Sequence, residues 1–201
     1  MKLLAAAAVS LVATAQSPPI PGWHRSGSNG TEYEFSLDRE VRHGGHASAT
    51  IRCPKKRCGG FASLEQWIQA DAFMGYRLRL TAWVKSTAPG PVRIWMRVDG
   101  KQAQVLAFDN MDNRAKSGAF DWTEQQIVLD VMEPAAVINF GVILPGRGQA
   151  WIDDVELETV GPKIRSTNML SGPVPSSRTP KSVWEKYRSA PVEPVNLDFE
   201  Q

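Results

Sequence analysis

YRLRLTAWVKSTAPGPVRIWMRVDG, residues 76–100, decides the fold. Leu78, Leu80, Ala82 and Val84 alternate with Arg79, Thr81, Trp83 and Lys85. After the turn signal Ala88-Pro89-Gly90-Pro91, Ile94, Met96 and Val98 alternate with Arg93, Trp95, Arg97 and Asp99. A period of two belongs to a strand buried on one side, because successive side chains leave opposite faces. Proline presets φ and glycine tolerates positive φ, so the interruption turns the chain back.

The same grammar extends in both directions. Tyr33, Phe35 and Leu37 form an apolar row, as do Ala47, Ala49 and Ile51, then Ile127, Leu129 and Val131, then Ile138, Phe140 and Val142. Trp151 to Leu157 closes the series. Gly44-Gly45, Gly59-Gly60, Asp99-Gly100 and Pro145-Gly146-Arg147-Gly148 separate the runs. Many short strands at even spacing, without a sustained helical period, predict an all-β, two-sheet antiparallel β-sandwich of the jelly-roll type over residues 16–160. Residues 161–194 are rich in Pro, Ser, Thr and Lys and read as a tail, with a helical turn or two at Ser182–Arg188. Residues 195–201 read as one more strand, completing the sandwich.

At the other end, Met1-Lys2, the apolar run Leu3–Val12 and the small-x-small motif Ala13-Thr14-Ala15 make residues 1–15 an export signal, with the mature chain starting at Gln16. The expected place is secreted or periplasmic, with no membrane span in the mature chain. The 201 residues carry 23 Lys and Arg against 21 Asp and Glu. So even a balance argues against nucleic acid or an anionic membrane as the main partner. Cys53 and Cys58 bracket a basic, proline-containing loop and predict a disulfide in an oxidising compartment; a Cys2His2 metal site with His43 and His46 is the rival.

Gly22-Trp23, Gly44-Gly45-His46-Ala47-Ser48, Gly75 before its strand, Asp121-Trp122, and Trp151-Ile152-Asp153-Asp154-Val155-Glu156-Leu157 occur in that order. The pattern resembles the galactose-binding-like jelly rolls, especially carbohydrate-binding modules of the family 4 and 9 type. It also looks like domains of this fold that accompany some bacterial regulators. Those modules usually place an Asn-x-x-Phe-Glu strand before the Gly-Trp. Here that motif stands at the far end, in Asn196-Leu197-Asp198-Phe199-Glu200, which predicts a permuted arrangement. Strand parity sets Asp153 beside Val155 and Leu157, facing inward, where a carboxylate needs a partner. The resemblance implies a structural calcium held by Asp153, Glu200 and backbone carbonyls near His43 and Gly44, with Asp154 as the alternative ligand.

Trp67, Trp83 and Trp95 share the polar parity of their strands with Arg93, Arg97 and Gln69. Flat rings beside such groups suit sugar recognition: the ring stacks on a pyranose C–H face while polar side chains bond its hydroxyls. Packing beneath the tail is the other reading of the same parity. Asp109–Arg114 is polar enough to form a rim. No nucleophile motif, phosphate loop or paired catalytic carboxylates can be recognised, so the expected function is non-catalytic binding with no catalytic cofactor. The expected partner is a carbohydrate or, in the alternative, a protein of the cell envelope.

Overall fold

The computed structural model describes residues 19–177 and 179–201; the export signal expected at residues 1–15 lies outside them. Two antiparallel sheets face each other. The first contains, in spatial order, β1 (His24–Ser26), β4 (Phe61–Gln69), β9 (Ala135–Pro145), β6 (Arg93–Gly100), β7 (Gln104–Asp109) and β11 (Val174–Pro175). The second contains β2 (Glu34–Asp38), β3 (Ser48–Arg52), β10 (Gln149–Val160), β5 (Arg77–Ser86) and β8 (Phe120–Asp130). The apolar rows of the alternating runs meet between the sheets. Leu78, Leu80, Ala82 and Val84 on β5 and Ile94, Met96 and Val98 on β6 are buried in one core with Ile138, Phe140 and Val142 on β9. The all-β, two-sheet expectation holds because alternation leaves each sheet one apolar face, and only a second sheet can bury it.

The segment after β10 closes the edges of both sheets. Thr167 N–H donates to the Val128 carbonyl at 2.8 Å, and Val128 N–H donates to Thr167 Oγ1 at 2.9 Å, on the outer strand β8. Met169 N–H then reaches the Phe108 carbonyl of β7 at 2.8 Å, and β11 continues along β7. An uncovered strand edge invites pairing with another chain, and this strap removes the invitation on one side of both sheets. The chain then forms α1 (Pro180–Ser189), longer than the turn or two expected. Thr179 caps it, accepting from Ser182 N–H at 3.2 Å, and proline occupies its first turn. Val183 packs α1 onto Val137 of β9.

Residues 195–201 do return to the domain, but not as a strand. They form a turned plug. Phe199 is buried against Trp23, ring centroids 5.1 Å apart, and the Asn196 carbonyl accepts from Trp23 Nε1 at 2.9 Å. Gln66, buried on β4, takes Val195 N–H on its carbonyl oxygen and donates back to the Val195 carbonyl, at 2.8 and 2.9 Å. Asn196 and Phe199 have positive φ, which breaks any ladder and aims Phe199 into the core.

Candidate binding groove

The outer face of the first sheet divides in two. Registers align Glu65, Gly141 and Trp95 across β4, β9 and β6, and Trp67, Asn139 and Arg97 one step further along. Trp67 and Asn139 of the second row lie under α1, while Arg97 reaches the open part of the face. Trp67 is sandwiched between His24, ring centroids 3.6 Å apart, and the Lys186 ammonium, 3.9 Å from its centroid. Partial burial and the nearby Lys186 charge push the His24 imidazole below its ordinary value. Gln69 spends its amide N–H groups on the Tyr187 and Ala190 carbonyls at the end of α1. The expected ligand role of Trp67 and Gln69 therefore meets an occupied surface: the tail covers both.

The other half of the face is open. A groove of about 540 Å³ runs over Trp95, with Phe61 and Phe108 on its sides and Glu65, Arg93 and Arg97 along it. Ile94 points into the core while Trp95 stays outside it, as alternation requires. The Trp95 indole crosses β9 to donate from Nε1 to Ser63 Oγ of β4 at 3.0 Å. The crossing passes Gly141, the outward position of β9 between them. A Cβ there would stand 2.2 Å from the Leu64 carbonyl oxygen, so only glycine fits. Trp95 is 7% exposed and forms a floor; Phe61, 38% exposed, presents the freer ring.

Ion pairs hold the guanidinium groups. Arg93 pairs with Asp112 at 2.6 Å, and Arg97 with the fully buried Asp99 at 2.9 Å. Asp109 is buried and takes Arg114 at 2.6 Å, so the 109–114 segment is a braced rim and Asn110 lines the groove. Sequence reasoning missed Phe61, Phe108 and Glu65 as groove residues. For Phe61 and Glu65 the signal was available, since both share the Trp67 parity.

Trp83 is elsewhere. It lies on β5, on the outer face of the second sheet, so it cannot share a platform with Trp95. Its ring is stacked by His43 at 3.9 Å between centroids, with the Trp122 ring edge-on to His43 at 5.7 Å. Parity names a side of a strand, not the sheet to which the strand belongs.

The calcium expectation meets a similar displacement. Between Asp153 and Glu156 the β10–β5 register slips, and Asp154 has φ +44°. This bulge inserts one residue, so Asp153 pairs with Trp83 on the outer side rather than facing the core with Val155 and Leu157. The 43–47 turn buries it there and presents N–H groups. Asp153 Oδ2 accepts from His43 N–H and Gly44 N–H at 2.8 and 3.1 Å, and Oδ1 from Asp154 N–H at 2.8 Å. Glu200 Oε1 accepts from His46 and Ala47 N–H groups, the latter at 3.2 Å. Burial nonetheless pushes the Asp153 carboxyl above the ordinary range, against the pull of these bonds. A calcium ion needs oxygen donors aimed at it. Here both carboxylates accept from backbone donors of the 43–47 turn, and among the described residues no three His, Cys, Asp or Glu side chains converge on one point. Cys53 and Cys58 are joined as a disulfide, which rules them out as ligands beside His43 and His46.

No family model matches the chain. An uncharacterised HTH-type transcriptional regulator of Bacillus subtilis strain 168, YbfP, is 40% identical over 182 residues, 90% of this chain and 57% of the regulator. The chain thus spans little more than half the length of that curated relative. Among solved structures, the enzymatically active domain of bacteriophage CBA120 tailspike protein 4 superposes with TM-score 0.56 at 16% identity, covering 71% of this chain and 20% of that one. The CBM22-1 xylan-binding domain of Paenibacillus barcinonensis Xyn10C gives 0.53 at 12% identity over 69% and 86%. A cyclase from Fischerella sp. TAU, in complex with 4-(1H-indol-3-yl)butan-2-one, gives 0.52 at 16% identity over 70% and 85%. Likeness at this identity establishes the shared sandwich and leaves the ligand open.

Proposed function

We propose that the chain is an exported, non-catalytic glycan-binding module whose ligand lies in the groove over Trp95. The observation that carries the reading is the division of one sheet face. Half is sealed by α1, while the half containing Trp95, Phe61 and Phe108 is left open beside Arg93, Arg97 and Asn110. Apolar rings next to fixed hydrogen-bonding groups are what a pyranose requires. The motif order shared with family 4 and 9 carbohydrate-binding modules and the fold shared with a xylan-binding domain support it. The disulfide supports an extracytoplasmic setting.

A second reading follows from the 40% identity to a transcriptional regulator. In it the same groove belongs to a sensing or protein-interaction domain. The two readings part on the ligand. Calorimetric titration against soluble neutral oligosaccharides and against uronic-acid polysaccharides should give saturable heat with at least one of them. Phe61→Ala should weaken that binding about tenfold, about 1.4 kcal/mol, with an unchanged melting temperature, because Phe61 is exposed. No heat with any glycan, neutral or acidic, or equal binding by the Phe61 variant, leaves the second reading in possession.

A further inference from the structure

We infer that the glycan is acidic, and that its charge is read by the disulfide loop at one end of the groove. This inference rests on the groove reading above and adds the ligand class. The groove does not stop at Phe61 and Pro145. Gly60 lines it and also lines a second recess of about 620 Å³, bounded by Lys56, Arg57, Gly146 and Arg147. The aromatic groove and the basic recess thus adjoin at Gly60 and at the Pro145-Gly146 step.

The cations of that end are uncommitted. All three of Lys56, Arg57 and Arg147 are exposed, and among the described residues their side chains have no hydrogen bond or ion pair. Arg93, Arg97 and Arg114, by contrast, are each tied to an aspartate. The chain as a whole carries only +2, so this concentration of positive charge is local. Glu32, the nearby acid, is engaged by Gly59 N–H at 3.0 Å.

The backbone that carries these cations is also held in place. The Cys53–Cys58 disulfide closes the loop that carries Lys56 and Arg57. Cys53 N–H donates to the Gly148 carbonyl at 2.9 Å and Gly146 N–H to the Gly60 carbonyl at 3.0 Å, which ties this loop to the β9–β10 turn bearing Arg147. Tyr33 Oη donates to the Gly59 carbonyl from beneath at 3.2 Å. Gly59, Gly60 and Gly146 carry no side chains to stand between a ligand and these cations. Guanidinium forks recognise carboxylate and sulfate with two parallel bonds, and an anchored backbone limits the volume these side chains must search. A polysaccharide stacked at Phe61 would place its next residues, with any acid groups they carry, among Arg57, Arg147 and Lys56.

The test compares polygalacturonate and alginate, each beside its fully methyl-esterified neutral form, by calorimetry with the full chain. At least one acid form should bind ten or more times more tightly than its ester. That preference should fade as sodium chloride rises from about 50 to about 500 mM, because exposed charges are screened. Arg57→Glu with Arg147→Glu should abolish the preference at an unchanged melting temperature, while Phe61→Ala should weaken acid and ester forms alike. Equal binding of acid and ester overturns the acidic ligand and leaves the groove standing. Poly-glutamate binding as tightly as polygalacturonate, indifferent to Phe61→Ala, overturns it in favour of an acidic protein on the loop. Silence from both acid forms while a neutral oligosaccharide binds also overturns it; silence from every glycan removes the groove reading as well.

Discussion

Asp153 and Glu200 show how single side chains organise a turn. Both carboxylates collect backbone N–H groups from one turn, Asp153 from His43 and Gly44, and Glu200 from His46 and Ala47. Gly45, with φ +48°, lets the turn pass; a Cβ there would meet Glu200 Oε1 at 2.1 Å. The His46 N–H bond holds the Glu200 carboxyl below its ordinary value of 4.5. A depressed carboxylate contributes stability that is present above its unfolded pKa and lost as pH falls through its folded one. The melting temperature should therefore drop between about pH 5 and about pH 3, and Glu200→Gln should flatten part of that drop. The two melting curves should converge in acid; parallel curves over the whole range would sink the assignment.

Two elements finish what the strands begin. The 195–201 plug supplies Phe199 to the main core, and α1 supplies Val183 to a smaller one on the outer face. Neither announces itself by periodicity, since a plug has none and a ten-residue helix contacts the sheet through few residues. Phe199 is 1% exposed, so its removal leaves a cavity as well as losing burial. Phe199→Ala should cost about 3–5 kcal/mol in denaturant unfolding. A loss below about 1 kcal/mol would mean that the plug merely rests on the sandwich. Asn196-Leu197-Asp198-Phe199-Glu200 thus finds the place its motif suggested, while its turns keep it out of either sheet.

At the scale of the molecule, the sandwich is strapped rather than closed. Residues 166–175 bind the edge strands β8 and β7, and the Cys53–Cys58 link ties only a short loop at one end. Entropy lost by the unfolded chain grows with loop size, so this disulfide should add only about 2 kcal/mol. Cys53→Ser with Cys58→Ser should melt a few degrees lower with an unchanged far-ultraviolet spectrum. Loss of the β-spectrum at room temperature would show that the bridge supports the whole fold. In the same variant the preference for acidic over esterified glycan should decline, since the backbone bearing the loop's cations would no longer be closed.

Alternation along residues 76–100 was enough to determine the strands, their inward faces and hence a sandwich, because burial acts on each side chain where it stands. Local chemistry likewise sufficed for the Cys53–Cys58 bridge. Partners distant in the chain were decided only in three dimensions. The separation of Trp83 from Trp95, the bulge that turns Asp153 outward and the covering of Trp67 by α1 depend on which strand lies beside which. That choice is made by packing among residues far apart in sequence, such as Trp23 with Phe199, and no local period records it.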